Sequence, residues 1–310
     1  MSGSWINSGS YLANPELSAE MRMQNSGEYV FRQFVEVKDG LGANAGDEVD
    51  FTKQLNIDVS GTTLDENQVM PKNKIKFVKD SITVTEYGNG VNYTQKIETL
   101  SQWSQKDRYA KGLTEDQKNT IDGEIASKFK QAEIKLVCTS TLVNVATTNG
   151  IATATASNNP SDKNIRSAVS YMKNARIPKL GTHYIGIFSV SALEGIYDYL
   201  QAIAQYAEPS FRYSDEVGRY YSVRFIEDNM QLDSTAGTSS FGEGVMFGSE
   251  AVAEAVALPE ELRYEETDFG RSKMLAWYAI LGWKKQWSLA NDDSNSTGKG
   301  IERIVHFTSA

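Results

Sequence analysis

The 310-residue sequence predicts an α+β fold, in which an extended β-hairpin, a long helix and a compact α/β region follow one another. Three observations support this class. Residues 47–98 form one long, polar and extended excursion, residues 114–145 carry a helical apolar stripe, and residues 161–205 alternate helix, strand and helix. The chain is long enough for one large domain or two modest ones.

Composition limits the functions that the chain can have. Hydrophobic residues make up 40% of the sequence and charged residues 23%, which is enough apolar content for a packed core. The net charge of −9 argues against a nucleic-acid-binding surface, although an acidic protein can enclose DNA without binding it tightly. No run reaches about 18 apolar residues, so we expect no membrane contact. Cys138 is the single cysteine, and the first residues lack the pattern of a signal peptide, so we expect a protein used without export.

Residues 1–45 predict an N-terminal arm, because they are poor in apolar residues and rich in Gly, Ser and Asn. One short helix is predicted near residues 15–23. The hairpin follows at residues 46–98. In its rising strand every apolar residue is odd-numbered, the period-two pattern of a β-strand: Val49, Phe51, Leu55, Ile57 and Val59.

The returning side of the hairpin carries Ile75 and Phe77 and then changes phase to Ile82 and Val84. This change of phase predicts a β-bulge near residues 79–81. The descending side is expected to run on through residues 87–97. An isolated long hairpin is only marginally stable and exposes open edges, so we expect other copies of the chain to pair with it.

A long helix is predicted from Thr114 to about residue 145. Thr114 and Gln117 have the spacing of a capping box. The apolar residues that follow recur at intervals of three and four and form one stripe: Ile121, Ile125, Phe129, Ala132 and Leu136. At about 1.5 Å per residue the helix would span ~45 Å, which is long for a globular domain.

An α/β region follows a polar link at residues 147–159. Ser161 and Asp162 are expected to cap a helix that Pro178 ends, with an apolar face at Ile165, Ala168, Val169 and Met172. Residues 184–190 are almost wholly apolar, which is typical of a central strand, and another helix is predicted over residues 191–205. Further strands are predicted at residues 220–226 and 244–247. The C-terminal region predicts a hairpin of residues 274–289 and 301–307 that packs against the long helix.

The motifs that imitate catalytic or ligand sites are each incomplete. His183 and His306 lack zinc-ligand spacing, and Cys138, placed by the stripe inside the long helix, is interpreted as a small buried residue. Residues 241–248 imitate a dinucleotide fingerprint, but their third glycine is one position late, so a strand with glycine turns is predicted. Residues 293–304 imitate a calcium loop, yet Ile304 stands where an acid is required. The sequence therefore predicts no catalytic residue, no cofactor and no metal, and a protein that is not an enzyme.

Lysines alternate along the returning strand of the hairpin, with Lys72, Lys74 and Lys76 on one face and Ile75 and Phe77 on the other. One interpretation is a solvated face whose charge protects the edge against misassembly. The other is contact with the acidic surface of a neighbouring subunit, which would set register and specificity. Under the second interpretation the candidate subunit-interface residues are six in all: Lys72, Lys74, Lys76, Phe51, Leu64 and Phe77.

The order of these parts resembles that of the major capsid proteins of tailed bacteriophages, the Hong Kong 97-type fold. Within that family the sequence is most similar to the branch found in N-four-type podoviruses. Three segments carry this similarity: Ile82-Thr-Val-Thr-Glu-Tyr-Gly-Asn-Gly-Val-Asn-Tyr-Thr-Gln-Lys96, Tyr184-Ile-Gly-Ile-Phe-Ser-Val-Ser-Ala-Leu-Glu-Gly-Ile-Tyr197 and Phe269-Gly-Arg-Ser-Lys-Met-Leu-Ala-Trp-Tyr-Ala-Ile-Leu-Gly-Trp283. The resemblance covers nearly the whole chain, but it consists of architecture and short segments.

The resemblance implies a division of the chain and a set of partners. Residues 1–45 would be the N-terminal arm, 46–98 the extended loop (E-loop), 99–149 with 258–310 the peripheral (P) domain with its spine helix, and 150–257 the α/β axial (A) domain. The protein would assemble with itself into pentamers and hexamers of an icosahedral shell around double-stranded DNA. It would contact portal and scaffolding proteins, be made in the bacterial host cytoplasm and end in the virion.

Two other functions remain open from the sequence. An encapsulin-type compartment would keep the fold and enclose enzymes in place of DNA. A small-molecule enzyme would use the α/β region at residues 150–257 and would form an oligomer no larger than a tetramer.

Overall fold

The computed structural model describes residues 29–38, 46–55, 63–70, 72, 74–101, 104–138, 143–146, 159–196, 218–228, 230–232, 242–288 and 302–307. These residues form two sheets, one separate β-hairpin and a long helix that lies between the sheets. The predicted arm helix at residues 15–23 lies outside the described residues.

The first sheet is built around a long hairpin of β11 (Val252–Thr267) and β12 (Ser272–Lys285). The strand β4 (Thr85–Thr94) pairs antiparallel with β12, and β1 (Glu36–Lys38) pairs parallel with the start of β11. The order across the sheet is β1-β11-β12-β4. The predicted descending strand is confirmed as β4, but it ends at Thr94, and Ile97 belongs to a short helix, α1 (Gln95–Leu100).

The second sheet has seven strands in the order β6-β5-β13-β10-β7-β9-β8. In chain order these strands are β5 (Ile134–Cys138), β6 (Val143–Ala146), β7 (Tyr184–Ser189), β8 (Gly218–Tyr220), β9 (Val223–Asp228), β10 (Gly244–Phe247) and β13 (Ile304–Phe307). All six residues of β7 are buried, and it pairs with β10 and β9, so the predicted central strand is confirmed.

The predicted strand at residues 220–226 is two strands. Tyr221 and Ser222 separate β8 from β9, and both have positive φ, at 48° and 71°. Two consecutive residues of this kind form the tight turn that matches the twist of a β-hairpin. The sequence hid this turn because neither residue is a glycine, an asparagine or an aspartate.

The long helix is α2 (Gln105–Lys130), and both predicted ends were wrong. Thr114 lies inside the helix, where its hydroxyl donates to the Ala110 carbonyl oxygen at 2.8 Å, and so it does not cap the N-terminus. The chain leaves the helix after Lys130 because the next apolar residues form β5, which pairs with β13 and β6. Leu136 continues the helical spacing of the stripe by coincidence, and Cys138 lies in β5.

The helix α2 covers both sheets with one apolar face. Its buried Ile121, Ile125 and Phe129 share a core with Trp277 and Leu281 of β12 and with the inner face of the second sheet. The Phe129 and Phe247 rings lie 4.6 Å apart, which joins the helix to β10. The other face of the second sheet packs against α3 (Asp162–Asn174), whose predicted apolar face, Ile165 to Met172, is confirmed as buried. Residues 190–196 are helical and belong to the same layer, and the rest of that predicted helix lies outside the described residues.

The predicted C-terminal hairpin was wrong. The strand β12 pairs with β11 and β4, whereas β13 lies in the second sheet between β10 and β5. The true partner, β11, was not predicted because half of residues 258–267 are charged and most are exposed, without the apolar alternation of a half-buried strand. Charged side chains on an open sheet edge oppose unwanted pairing, which accounts for this composition. The predicted packing against the long helix is confirmed for β12.

Residues 30–32, in the segment predicted to be the N-terminal arm, are held on α2 by one buried carboxylate. Asp122 is fully buried and accepts hydrogen bonds from the backbone N–H groups of Val30, Phe31 and Arg32, at 3.0 to 3.2 Å. Phe31 is also fully buried, with its ring 5.5 Å from that of Phe129. Burial raises the pKa of Asp122 to about 6, against the opposing effect of the three N–H donors. The carboxylate is therefore ionised at neutral pH, and it fixes the arm before β1 joins the first sheet.

We expect Asp122→Asn to lower the free energy of unfolding at pH 7.5 by about 1–3 kcal/mol, because an amide has one acceptor oxygen and turns its NH2 group towards one of the three backbone N–H donors. Hydrogen exchange of Val30 to Arg32 should accelerate at the same time. Asp107→Asn is the control, since Asp107 is exposed in the first turn of α2 and should cost less than about 1 kcal/mol. Chemical denaturation of the unassembled protein measures both variants. Equal losses for the two variants would show that Asp122 does not hold the arm.

Candidate subunit-interaction surface

The described residues contain no group of His, Cys, Asp and Glu side chains arranged to hold a metal ion. His306 is buried in β13, with Nε2 2.6 Å from Oε1 of Glu243. Lys130, the last residue of α2, contacts the other oxygen of Glu243 at 2.8 Å. Burial opposes ionisation of Glu243, but His306 and Lys130 outweigh it and lower its pKa to about 2. This cluster joins the helix end to the second sheet, which is a structural role.

The remaining sequence motifs also have structural roles where they are described. Cys138 is buried in β5, and burial raises the pKa of its thiol to about 12, so it stays protonated at neutral pH. The glycine-rich run near residue 244 is confirmed as a strand. A side chain at Gly244 would come within 2.1 Å of the Phe188 ring, so this glycine is required by packing and not by a nucleotide. The residues that imitate a calcium loop lie outside the described residues, apart from the segment that leads into β13.

The strands β2 (Glu48–Gln54) and β3 (Phe77–Thr83) form the predicted hairpin as a separate two-stranded sheet. Their register is continuous from the Glu48–Thr83 pair to the Gln54–Phe77 pair, so the predicted bulge is absent. Val78 and Ile82 lie on the inward face together with Asp80, whereas Phe77 points outward and is 62% exposed. The apparent change of phase arose because Phe77 lies on the opposite face from Ile82.

The root of the hairpin is packed on the first sheet. Ile82 is fully buried against Ala253 and Ala255 of β11, with Val49 and Phe51 half-buried around them. This small cluster covers the outer face of the first sheet at one end, opposite the face that α2 covers. The apolar root therefore fixes where the hairpin leaves the body of the protein.

A buried lysine adds direction to this attachment. Lys53 is 5% exposed, and its ammonium donates to Asp80 at 2.7 Å and to the carbonyl oxygen of Gln286, just beyond β12. Lys284 of β12 donates to the other oxygen of Asp80. Burial would raise the pKa of Asp80, but the hydrogen bonds from Lys284 and Lys53 outweigh it and lower the pKa. Both strands of the hairpin are thus tied to the end of β12 by charged groups, of which the Lys53 ammonium is buried.

The described residues of the hairpin loop are largely exposed, and several of them are apolar. All of residues 63–70 are exposed, and apolar side chains continue along the return. We refer to the following five residues as the loop apolar patch: Leu64, Val69, Met70, Ile75 and Phe77. Val69 is 83% exposed and Met70 is 67% exposed, so these side chains find little cover in their own chain.

The candidate interface residues are divided between root and loop. Leu64 and Phe77 belong to the loop apolar patch, whereas Phe51 packs at the root beside the Lys53 ammonium, 5.0 Å from its ring centre. Lys72 and Lys74 are exposed and Lys76 is half-buried, but all three precede β3, so they do not form a strand face as predicted. Contact of these six residues with a neighbouring subunit stays a prediction. Val69 and Met70 were not among the predicted interface residues, although two adjacent apolar residues in a polar loop are a visible signal.

No described helix is both long enough and apolar enough to cross a membrane.

Known proteins resemble this chain in structure and not in sequence. No family model matches the sequence, and no curated protein matches it. The solved capsid of Ralstonia phage GP4 aligns over 100% of this chain and 98% of its own, with a TM-score of 0.70 at 15% identity. The capsid of cyanophage Pam1 aligns over 100% of both chains, with a TM-score of 0.72 at 14% identity. The head of Helicobacter pylori bacteriophage KHP40 aligns over 96% of both chains, with a TM-score of 0.68 at 15% identity.

These alignments cover the chain from end to end and include the hairpin as well as the two sheets. The fold of this protein is therefore the fold of bacteriophage capsid proteins, as the order of its sequence segments implied.

Proposed function

We propose that this protein is the major capsid protein of a tailed bacteriophage. It assembles with itself into pentamers and hexamers of an icosahedral shell that encloses double-stranded DNA, and it is a component of the virion made in the bacterial host cytoplasm. Portal and scaffolding proteins are its further partners. The fold shared with three phage capsids supports the proposal, and the N-four-type podovirus branch is the subgroup that the sequence segments favour.

In this proposal the chain is divided as the family resemblance implies. Residues 1–45 are the N-terminal arm, residues 46–98 the E-loop, residues 99–149 and 258–310 the P domain, and residues 150–257 the A domain. The separate sheet of β2 and β3 supports the E-loop, since it leaves the body at a fixed root. The helix α2 is the spine helix of the P domain, and β7 with its neighbours belongs to the A domain.

The single observation that carries the proposal is the contrast between the two ends of the hairpin. The root is buried, with charged groups that fix its direction, whereas the loop exposes a patch of apolar side chains. A protein that works as a monomer gains nothing from holding apolar surface away from its body. Full burial of one such side chain contributes about 1.5–3 kcal/mol, so contact of all five with a neighbouring copy would offset a large part of the free-energy cost of association.

The charge of the protein suits enclosure of DNA without binding to it. The chain carries 31 basic and 40 acidic residues, which gives a net charge of −9. Tight binding to duplex DNA is driven largely by the release of counterions from phosphates that Lys and Arg neutralise. An acidic shell gains little free energy from the release of counterions. The genome is therefore retained because the shell encloses it, and its phosphates stay neutralised by their own counterions.

The proposal is tested by the size of the particles that purified protein forms. We expect light scattering after size exclusion, with scaffolding protein supplied where it is needed, to show pentamers, hexamers or closed shells. Negative-stain electron microscopy should show round particles of uniform diameter. A chain that stays monomeric or forms nothing larger than a tetramer under these conditions contradicts the proposal.

The apolar side chains of the loop should control assembly without affecting the fold. We expect Val69→Ser with Met70→Ser to raise the protein concentration needed for assembly at least about tenfold, which corresponds to ~1.4 kcal/mol per contact. The thermal unfolding midpoint of the unassembled protein should not change, because both side chains are exposed. Glu66→Ala with Gln68→Ala in the same exposed loop is the matched control, with an expected change below about twofold. Normal assembly of the serine variant would show that the patch is not a contact.

The unassembled protein should bind duplex DNA only weakly. We expect a dissociation constant no tighter than about 10⁻⁶ M at physiological salt, in the range of non-specific binding. Fluorescence titration with labelled duplexes of two unrelated sequences measures the affinity, and the two sequences should give equal values. Sub-micromolar binding that weakens steeply with salt would reveal a basic surface that the net charge conceals.

A further inference from the structure

One aromatic side chain is exposed at the far end of the first sheet. Phe269 lies in the turn between β11 and β12 and is the most exposed of the large hydrophobic residues in the described part of the chain, at 106%. Its φ is 56°, and its neighbours Asp268 and Gly270 also have positive φ, so the turn holds the ring away from both strands. A left-handed conformation costs a bulky residue free energy, which suggests that this orientation has a use.

The outer face of the same sheet has a depression of about 600 Å³. Its floor is formed by residues that have little or no side chain, Gly88 and Gly90 of β4 and Ala276 of β12, with Gly90 directly opposite Ala276. Its walls are Met274, Tyr278 and Arg263, with the guanidinium carbon 4.2 Å from the centre of the Tyr278 ring. We call these six residues the sheet depression. The hairpin root covers the other end of this face, and α2 covers the opposite face.

Phe269 cannot reach the sheet depression of its own chain. Ala276 lies four residues along β12 from Ser272, where the turn ends, which is about 13 Å at ~3.3 Å per residue, and the exposed Phe269 ring lies beyond that end. The β11–β12 pairing is continuous up to the turn, from Leu262–Trp277 to Thr267–Ser272, so the hairpin does not fold back on itself. Any occupant of the sheet depression that comes from this turn must belong to another copy.

We propose that Phe269 of one copy inserts into the sheet depression of a second copy. This inference deepens the proposed function, on which it rests for the presence of the second copy. The contact joins an aromatic side chain to a floor of glycine and alanine between Met274 and Tyr278, an arrangement that buries apolar surface on both partners.

The charges around the two surfaces are complementary. The turn places Asp268 and Arg271 on either side of Phe269, 55% and 83% exposed at their side chains and only 3.5 Å apart at their charged groups. The rim of the sheet depression carries Arg263 and Glu265, both exposed. Asp268 and Arg271 pair with each other, and Arg263 pairs with Glu261 at 2.5 Å, so insertion of the turn would exchange these exposed ion pairs for Asp268 with Arg263 and Arg271 with Glu265, which favours one orientation of the turn.

The test is photocrosslinking of the full chain with Phe269→p-benzoylphenylalanine. After irradiation of assembled particles, mass spectrometry should place the intermolecular crosslinks at residues 88–90 and 274–278. The matched control carries the same group at Tyr221, which is also an exposed aromatic residue with positive φ in a hairpin turn, and it should not crosslink to these residues. Crosslinks from residue 269 to other parts of the surface, or none between copies, would overturn the inference.

A second variant tests whether the sheet depression is needed for the crosslinks from residue 269. Ala276→Leu, which fills the floor, should lower the crosslinking yield from residue 269 about tenfold, whereas Ala276→Ser, which leaves the floor open, should keep it. Thermal unfolding should be alike for both, since Ala276 is half-buried on the outer face.

Failure of this inference can be told from failure of the proposed function. Particles that form without crosslinks in the sheet depression overturn the inference and leave the shell proposal intact. If no particles form, the concentrated soluble protein is irradiated instead. Crosslinks between copies at residues 88–90 or 274–278 then support the inference alone, and their absence overturns it.

Discussion

The structure depends on one constraint: a single helix supplies the apolar cover for two sheets. Ile121, Ile125 and Phe129 of α2 complete the core of both, and the helix end is fixed to the second sheet through Lys130 and Glu243. The second sheet has α3 on its other face, so it is covered on both sides. Among the described residues only the hairpin root covers the outer face of the first sheet, and the rest of that face is open in this part of the chain. The surfaces proposed for assembly are those that this arrangement of layers leaves uncovered.

Two extended segments are attached to the body of the protein through a buried charged group, Asp122 in one case and Lys53 in the other. Asp122 holds the arm through three backbone N–H groups, and Asp80 holds the hairpin through two lysines. A buried charge is costly unless it is fully paired, so each of these contacts favours a single geometry over neighbouring ones. Each attachment also has a fully buried apolar side chain beside it, Phe31 next to Asp122 and Ile82 in the hairpin root. An extended segment that leaves the body in a fixed direction suits a protein whose copies contact one another with the same geometry many times.

The sequence predicted the parts whose signal is local. Period-two alternation identified β2, the apolar run identified β7, and the capped stripe identified α3, each within a few residues. The ends of α2 were missed because residues 105–113 form helix without an apolar stripe, and because Leu136 continued the spacing by chance. The pairing of β12 was missed because β11 is charged along its outer half, which carries no periodic signal. Pairing across more than a hundred residues, as between β5 and β13, depends on tertiary contacts that no local pattern contains.

The candidate surface was predictable in part. The hairpin and its need for partners followed from its length and polarity, whereas the anchor of Lys53 on Asp80 and Gln286 required the fold, because the ends of β2 and β12 are far apart in sequence. The exposure of Phe269 was equally hidden, since the letters Asp-Phe-Gly do not reveal a turn with three positive φ values.

The central claim is that copies of this chain cover one another's exposed surfaces in a closed shell. A cryo-electron microscopy reconstruction of the purified particle tests it most directly. The account predicts that density for Val69 and Met70 lies against a neighbouring copy, with the hairpin root still packed on its own Ala253 and Ala255. Particles in which the loop lies in solvent, or in which the hairpin folds back over its own body, would contradict it.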